Sequence, residues 1–188
     1  MKIGILGGTF NPIHAGHLIL AEEAREKLGL DKVIFVPTFM PPHKEGPDIA
    51  PAADRLTMVK LAIKGNGHLL ASDTEIKRNG RSYTIDTISE FKRTYPNDEL
   101  YFIIGSDLLT YLSEWKDLDR ILKMVNFVAA TRPGYPLENI PSYIKTMPIR
   151  AVDISGFEVR RCVREDKSYR YLVPEAVFDY INKKRLYR

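Results

Sequence analysis

Short apolar runs alternate with stretches of helical spacing along most of this chain, and this alternation leaves few folds open to it. Strands are predicted at residues 2–6, 33–36, 69–72, 100–104, 125–130 and 149–152. Helices are predicted at 18–28, 54–63, 85–93 and 174–182, with a helical pair within 108–123. Continuous apolar runs such as Leu100–Ile104 are typical of strands covered on both faces of a parallel sheet. The pattern predicts an α/β protein with a doubly wound parallel sheet and right-handed crossovers.

The chain has 188 residues, close to the size of one ordinary domain. We therefore expect a single domain over 1–188, with a small C-terminal helical subregion at about 154–188. Two connections interrupt the alternation, a polar loop at 38–51 and a proline-rich surface segment at 133–148. A polar loop as long as the first predicts a functional role.

Composition limits the classes of protein and partner. The chain is 44% hydrophobic and 28% charged, as expected for a folded protein. No apolar run approaches the roughly 20 residues that span a bilayer, and Met1 leads straight into a strand rather than a signal peptide. A lone Cys162 can form neither an intramolecular disulfide nor a thiolate metal site. We expect a cytoplasmic protein without membrane contact.

The net charge of +4 is mild, although basic residues gather towards the C-terminus. This surplus suits phosphorylated ligands, but a solvated surface of mixed charge is the commoner explanation. The basic residues are not interleaved with aromatic side chains in a nucleic-acid-binding motif, so no nucleic-acid partner is expected.

The loop after the first predicted strand carries the clearest chemical signal. Gly7 and Gly8 allow backbone N–H groups to approach an anion closely. His14 and His17 follow at a spacing of three, near the start of the next predicted helix. Both rings can donate hydrogen bonds to phosphate oxygens from one side of a helical turn. The loop therefore predicts a phosphate site beyond the carboxyl end of a strand, where such sheets bind ligands.

Other readings of this loop fit less well. The sequence contains neither G-x-x-x-x-G-K-[ST] nor G-x-G-x-x-G at this turn. The second predicted strand ends at Val36-Pro37-Thr38, without the acidic residue that holds an NAD ribose, which disfavours hydride transfer. The two histidines lack an evident third ligand, which makes a zinc site a poor alternative.

The segment Gly8–His17 resembles the G-x-F-x-P-x-H-x-G-H signature of the nucleotidylyltransferase superfamily. Its H-x-G-H is shared with class I aminoacyl-tRNA synthetases, for which this chain is too short. Later segments are similar to the bacterial nicotinate mononucleotide adenylyltransferases. They are P-P-H-K at Pro41–Lys44, S-Y-T-x-D-T at Ser82–Thr87, I-G-x-D at Ile104–Asp107 with Trp115 downstream, and R-P-G at Arg132–Gly134.

The resemblance implies a Rossmann-like nucleotidyltransferase fold and a reaction. The 5′-phosphate of nicotinate mononucleotide would join the α-phosphate of ATP, giving nicotinate adenine dinucleotide and pyrophosphate in NAD biosynthesis. Mg²⁺ would enter with ATP, held mostly by the nucleotide and water, without a protein metal site. The implied catalytic residues are His14, His17, Lys44 and Arg160. Those implied for ATP are Gly7, Gly8, Thr9, Phe10, Gly105, Asp107, Arg132 and Ser155. Those for the mononucleotide are Tyr83, Thr84, Trp115 and Lys44.

Several of these residues also have purely structural interpretations. An exposed lysine such as Lys44 is usually only solvating, and a lone tryptophan such as Trp115 more often packs in a core. Thr84 before an apolar helix is a good N-cap, and Asp107 after a strand is a common helix cap. Their places in the motifs favour function.

One segment departs from the family pattern I-S-S-T-x-x-R, whose hydroxyls, backbone N–H groups and arginine would contact ATP phosphates. Ser155 and Arg160 are kept, but Gly156 and Phe157 replace the second serine and the threonine. Losing two hydroxyl donors removes about 1.5–3 kcal/mol per bond, unless the Gly156 N–H or a water substitutes. We expect weaker ATP binding or slower turnover than in relatives, and a gain in efficiency when both residues are restored.

Two other functions stay open at this point. The acceptor of the adenylyl group could be phosphopantetheine, the amidated mononucleotide or a flavin nucleotide, although the Thr84 and Trp115 segments favour nicotinate. A non-catalytic nucleotide-binding or regulatory protein with the same fold is the alternative from a different class. The sequence does not fix the oligomeric state, and a homo-oligomer stays open.

Overall fold

The parallel sheet predicted from the sequence is present in the computed structural model, which describes residues 1–41, 48–131, 133–136 and 140–188. Its strands in these residues are β1 Lys2–Gly8, β2 Lys32–Pro37, β3 Leu69–Ala71, β4 Glu99–Gly105, β5 Asn126–Ala130 and β6 Ile144–Met147. They pair in parallel in the order β3-β2-β1-β4-β5-β6. The prediction of a doubly wound α/β fold is confirmed.

Helices lie between the strands and after the sheet. They are α1 Ala15–Leu28, α2 Ala52–Ala62, α3 Thr74–Arg78, α4 Thr84–Thr94, a 3₁₀ helix at Ser106–Glu114, α5 Leu118–Met124, α6 Gly156–Arg164 and α7 Glu175–Lys184. The predicted stop of α1 is confirmed, because Gly29 follows it in the left-handed conformation at φ 62°. No helix in the described ranges is long and apolar enough to cross a membrane.

Both faces of the sheet are buried in apolar layers, which explains the unbroken apolar strands. Ile3 and Ile5 of β1 belong to the layer that contains Ile88 of α4. Leu6 belongs to the opposite layer, with Met58 of α2. Since neither face of the central strands meets water, the period-2 alternation of a half-exposed strand is lost.

The order of the strands places the ligand crevice. β1 pairs with β2 on one side and with β4 on the other, so the connections after β1 and β4 leave the sheet in opposite directions. Ligands bind at this kind of switch point, beyond the carboxyl ends of the strands. The Gly7-Gly8 turn and Gly105 end these two strands.

The prediction of the last strand was wrong. The sixth strand is β6, within the segment predicted as a surface connection, and residues 149–152 form no strand. β6 lies at the sheet edge beside β5, and only Ile144 and Met147 of its four residues are buried. Such a short, half-exposed edge strand has little apolar signal, and Pro148 directly after it has no N–H to continue the ladder. The helices α3 and α6 were also missed, although α6 lies in the expected C-terminal helical subregion.

A buried carboxylate ties α1 to the segment after β6. Glu23 is 3% exposed and lies 2.8 Å from Lys27 Nζ. The Arg150 guanidinium donates a hydrogen bond to the other carboxylate oxygen. Hydrogen bonds from Arg150 and then Lys27 lower the pKa of Glu23 to about 2. This contact positions the residues that follow β6.

Glu23→Gln is expected to lower the Tm at neutral pH and to lower it less at acidic pH. A carboxyl whose pKa falls on folding stabilises the protein above its unfolded pKa, and this stabilisation is lost as the pH falls towards the folded value of about 2. The Tm gap between parent and variant should therefore narrow between about pH 5 and pH 2. Calorimetry across this range measures it, with exposed Glu26→Gln as the control in the same helix. A gap that stays constant with pH contradicts the assignment.

Candidate active site

A cavity of about 840 Å³ opens at the carboxyl ends of β1 and β4. Its walls come from the loop after β1, the end of β4, the segment after β6 and the first turn of α6. Most of the residues predicted to bind ATP line it: Gly7, Gly8, Thr9, Phe10, Gly105, Asp107 and Ser155, together with His14, His17 and Arg160. The fold thus gathers residues from both halves of the sheet around one space.

The two histidines form a stacked pair at the start of α1. His14 is the N-cap and is 7% exposed, while His17 is the third residue of the helix and is half-buried. Their ring centroids are 3.7 Å apart. The His14 backbone N–H donates a hydrogen bond of 3.2 Å to His17 Nδ1. Since Nδ1 accepts, the proton of the neutral His17 ring is on Nε2, which makes Nε2 a hydrogen-bond donor.

Phe10 packs against His17 of this pair. Its backbone has a positive φ of 47°, and its side chain is only 2% exposed. The ring packs edge-on against His17 with centroids 5.0 Å apart and also contacts Phe35 of β2. The predicted ATP-binding role of Phe10 stays a prediction, and its buried ring packs against His17.

Arg160 reaches the loop after β1 from α6. Its Nη1 donates a 2.7 Å hydrogen bond to the carbonyl oxygen of Asn11. Its Nε is buried and has no hydrogen-bond partner within the described ranges. Burial lowers the pKa of Arg160, an effect that Tyr187 and Asp48 oppose, and the guanidinium keeps its charge at neutral pH. A half-buried guanidinium at the cavity wall is suited to an anion.

The first turn of α6 packs closely against the loop after β1. Ser155 is the N-cap, and its hydroxyl accepts a 3.1 Å hydrogen bond from the Glu158 N–H. A Cβ added to Gly156 would lie 2.8 Å from the backbone oxygen of Asn11, too close for any side chain without a shift. Phe157 lines the cavity with a side chain that is 59% exposed. Glycine at 156 thus permits the close approach of α6 to the first loop.

Three of the predicted mononucleotide residues, Tyr83, Thr84 and Trp115, lie outside the cavity lining. Tyr83 is the N-cap of α4 and Thr84 its first residue, so the interpretation of Thr84 as an N-cap is wrong. Neither makes a side-chain capping bond to this helix start. Lys116 Nζ lies 4.8 Å from the centre of the Tyr83 ring, which brings the Tyr83-Thr84 and Trp115-Lys116 segments together.

Trp115 is half-buried and partly a core residue. Its ring meets Phe102 of β4 and Phe127 of β5 edge-on, at centroid distances of 5.9 and 5.8 Å. The structural interpretation of this tryptophan therefore holds in part, and its stacking on a pyridine stays a prediction. Asp107 lies inside the 3₁₀ helix that starts at Ser106, with Gly105 as the N-cap, so it does not occupy the cap position.

Lys44 and Arg132 lie outside the described residues, so their predicted roles stay predictions. Within the described part of the chain, no group of three or more His, Cys, Asp and Glu side chains could hold a metal ion. The zinc alternative for the histidine pair therefore finds no third ligand there.

Sequence reasoning missed two residues that hold the loop after β1 in place. Arg55 of α2 is 1% exposed and donates hydrogen bonds to the backbone of the first loop. Asn11 in that loop binds the backbone at Asp48 and Ala50 through its side chain. Neither residue has a local signal in the sequence. An arginine in a helix of mixed polarity resembles a surface residue, and an asparagine within the first-loop motif does not show which backbone it binds.

Comparison with known proteins gives a consistent result. Residues 5–162 match the family described as cytidylyltransferase-like. A Thermus thermophilus protein named probable nicotinate-nucleotide adenylyltransferase is 45% identical, with all of both chains covered. A protein of the same name from Desulfitobacterium hafniense is 44% identical, over all of this chain and 96% of that one.

Solved structures share the fold. Plasmodium falciparum nicotinic acid mononucleotide adenylyltransferase complexed with NaAD superposes with a TM-score of 0.83 at 19% identity, covering 99% of this chain and 97% of that one. A putative nicotinate-nucleotide adenylyltransferase from Vibrio parahaemolyticus gives 0.75 at 20% identity, covering 100% and 95%. At such identities the likeness concerns the fold alone.

Proposed function

This chain belongs to the cytidylyltransferase-like family, with nicotinate-nucleotide adenylyltransferases as full-length relatives, and we propose that it transfers the adenylyl group of ATP to nicotinate mononucleotide. The products are nicotinate adenine dinucleotide and pyrophosphate, in NAD biosynthesis. The observation that carries the proposal is the convergence of His14, His17 and Arg160 on one cavity at the switch point of the sheet.

The reaction demands little covalent chemistry from the protein. A phosphate oxygen of the mononucleotide attacks the α-phosphorus of ATP, the bond from that phosphorus to the bridging oxygen breaks, and pyrophosphate leaves with the electron pair. The attacking phosphate is already ionised at neutral pH, so no general base is needed. In-line positioning and stabilisation of the developing charge supply the acceleration.

The residues of the cavity divide this work by position. Nε2–H of His17 donates to a phosphate oxygen where charge builds up, and His14 supports it from the helix start. Arg160 stabilises the leaving pyrophosphate with its guanidinium at the cavity wall. The first N–H groups of α6, including that of Gly156, add donors at a helix N-terminus. Lys44, on the segment outside the described residues, is assigned to the phosphates by its motif.

The donor set fits a magnesium ion that arrives with its nucleotide. Asp48 and Asp107 are the carboxylates among the described lining residues, too few to enclose a Mg²⁺ that prefers six oxygen ligands. Nucleotide oxygens and water would hold the ion instead, and it would shield phosphate charge. Asp107 accepts hydrogen bonds from the ribose hydroxyls of the adenosine.

The acceptor's pyridine carboxylate is assigned to the start of α4. The first N–H groups of this helix have no side-chain cap, and the Thr84 hydroxyl stands beside them. Trp115, close to this segment through Lys116 and Tyr83, would stack on the pyridine. Uncapped N–H groups at a helix start favour a carboxylate, so this arrangement would select nicotinate over its amide.

Trp115 is the only tryptophan of the chain, so its fluorescence reports on this pocket alone. Nicotinate mononucleotide is expected to quench the emission saturably, because an electron-poor pyridinium stacked on indole accepts an electron from the excited indole, and the electron then returns. ATP without the mononucleotide should leave the emission nearly unchanged. Titration in a fluorimeter measures both, with Thr84→Val expected to weaken the quenching titration. Emission unchanged at saturating mononucleotide would restrict Trp115 to its packing on Phe102 and Phe127.

Pyrophosphate release tests the function itself. The purified protein with ATP and Mg²⁺ is expected to release pyrophosphate with nicotinate mononucleotide, and far less with the amidated mononucleotide, phosphopantetheine or a flavin nucleotide. Highest activity with another acceptor would change the assigned substrate but not the class of reaction. Nucleotide binding without release from any acceptor would favour the non-catalytic alternative.

A further inference from the structure

We propose that Arg55 is a positioning residue of this site: its buried guanidinium fixes the phosphate-binding loop relative to both ends of the connection between β2 and α2. The proposal rests on the proposed function, since it explains how the ATP side of the cavity keeps its shape. Arg55 lies in α2 and does not line the cavity, so it acts through the backbone that does.

The guanidinium joins three separate segments by their carbonyl groups. Nη1 donates to Thr9 O at 2.7 Å, Nη2 to Phe39 O at 3.0 Å, and Nε to Ala50 O at 2.8 Å. Thr9 belongs to the loop after β1, Phe39 follows β2, and Ala50 precedes α2. The planar fork of an arginine can hold three acceptors in a fixed arrangement, which a lysine cannot.

Burial makes Arg55 a costly choice for packing alone. Its side chain is 1% exposed, and it forms no ion pair with any residue that the structure describes. Desolvation lowers the pKa of Arg55, opposed by Tyr187 and Glu75. An apolar side chain would fill this space without desolvating a charge. The effect that offsets the cost of burying this charge is therefore the fixed arrangement of the three carbonyl groups.

Neighbouring contacts strengthen the same junction. Asn11 Oδ1 accepts a 3.0 Å hydrogen bond from the Ala50 N–H, and Asn11 Nδ2 donates to Asp48 O at 2.8 Å. The carbonyl of Asn11 is also the acceptor of Arg160. The loop that carries His14 is thus linked to Ala50 twice, once through Asn11 and once through Arg55.

The contact to Phe39 extends the junction to the acceptor side. The Phe39 N–H donates a 2.9 Å hydrogen bond to Ser82 Oγ, and Ser82 directly precedes Tyr83 and Thr84. Arg55 and Ser82 therefore hold the same residue from opposite sides. A displacement of Phe39 would reach both substrate regions.

The test compares Arg55→Met, Arg55→Lys and Arg55→Ala in the full-length protein, assayed well below each Tm. Arg55→Met is expected to lower kcat/KM for ATP by about 10- to 100-fold, since misplacement of about 1 Å at a reacting group costs this much. Arg55→Lys keeps the charge but not the fork, so it should recover only part of the loss. Added ethylguanidinium should raise kcat of Arg55→Ala and leave the parent unchanged.

Tyr180→Phe is the matched control for stability. The Tyr180 hydroxyl of α7 donates a 2.7 Å hydrogen bond to Asp54 Oδ1, next to Arg55 in α2, without contact to the three carbonyl groups. This variant should lower the Tm while kcat and KM stay within about twofold of the parent. If Arg55 had only a structural role, its variants would likewise lower the Tm and leave kcat and KM unchanged.

Kinetic constants of Arg55→Met within twofold of the parent would overturn the proposal. A loss of kcat in Tyr180→Phe equal to that in Arg55→Met would also overturn it. The same holds if ethylguanidinium does not raise kcat of a folded Arg55→Ala variant. If Arg55→Met does not fold, Arg55→Lys and the rescue decide. Calorimetric titration with ATP separates this result from a failure of the proposed function. Weaker ATP binding by the Arg55 variants is expected even if the acceptor is not nicotinate mononucleotide, and unchanged ATP affinity counts against the role of Arg55.

Discussion

His17→Ala is expected to lower kcat by about 100- to 1,000-fold while the affinity for nicotinate mononucleotide stays nearly constant. The substitution removes Nε2–H, a donor to the charge that develops on phosphate oxygens, and such donors act mainly in the transition state. The mononucleotide carboxylate and pyridine are assigned to a separate pocket at Thr84 and Trp115. Single-turnover rates with saturating substrates, together with mononucleotide titrations, measure the two effects.

Two amide substitutions separate catalysis from the structural role of the same ring. Asparagine at 17 places an oxygen near the position of Nδ1, where it can still accept from the His14 N–H, but it leaves the Nε2 position empty. Glutamine at 17 can place an N–H near Nε2. We expect His17→Gln to keep more activity than His17→Asn. The exposed His68, just before β3, is the control, and His68→Ala should be silent. A near-normal kcat for His17→Ala would refute the catalytic assignment.

Gly156→Ser is expected to lower catalytic efficiency by about 10- to 100-fold, although serine is the usual residue of the family motif. Its Cβ would lie 2.8 Å from the Asn11 carbonyl oxygen, which is backbone and cannot rotate away. Overpacking of this kind costs about 1–3 kcal/mol. Relief requires a shift of α6 away from the loop, which lengthens the 2.7 Å contact of Arg160 with Asn11. The expectation from sequence that restoring both residues raises efficiency stays a prediction, and this steric contact argues against the Gly156→Ser half of it.

Two controls isolate the steric effect of this serine. Gly67→Ser adds the same side chain where no atom lies within 4 Å, and should change neither the Tm nor the kinetics. Phe157→Thr alone changes an exposed side chain at the cavity wall and adds a hydroxyl without crowding the backbone. We expect it to keep or raise the efficiency with ATP. Steady-state kinetics with varied ATP measure all three, and a gain with Gly156→Ser would show that α6 adjusts without loss.

The departure from the family motif therefore has a local explanation. Gly156 contacts the first loop so closely that a side chain is excluded, while Phe157 keeps its ring at the cavity opening. Without a side chain at 156, α6 can lie this close to the loop. Reduced ATP affinity relative to family members stays a prediction, which the Phe157→Thr kinetics will test.

The sequence determined what depends on neighbours along the chain. Unbroken apolar runs predicted buried parallel strands, and Gly29 predicted the end of α1. The Gly7-Gly8 turn with His14 and His17 predicted a phosphate site, and these residues line the cavity. Each signal comes from the conformation or spacing of residues within one or two turns. The edge strand β6 escaped, because its placement comes from pairing with β5 rather than from its own composition.

Only the tertiary structure decided the contacts that give the site its shape. Arg160 and the Asn11 carbonyl are 149 residues apart in sequence, and Arg55 and Thr9 are 46 apart. An arginine that will be buried against carbonyl groups has the same local pattern as one on the surface, and a glycine required by a distant backbone oxygen has no local signature. Such requirements arise only when packing of the sheet and helices brings these atoms together, since hydrogen bonds and steric contacts act over a few ångströms of space, whatever their separation along the chain.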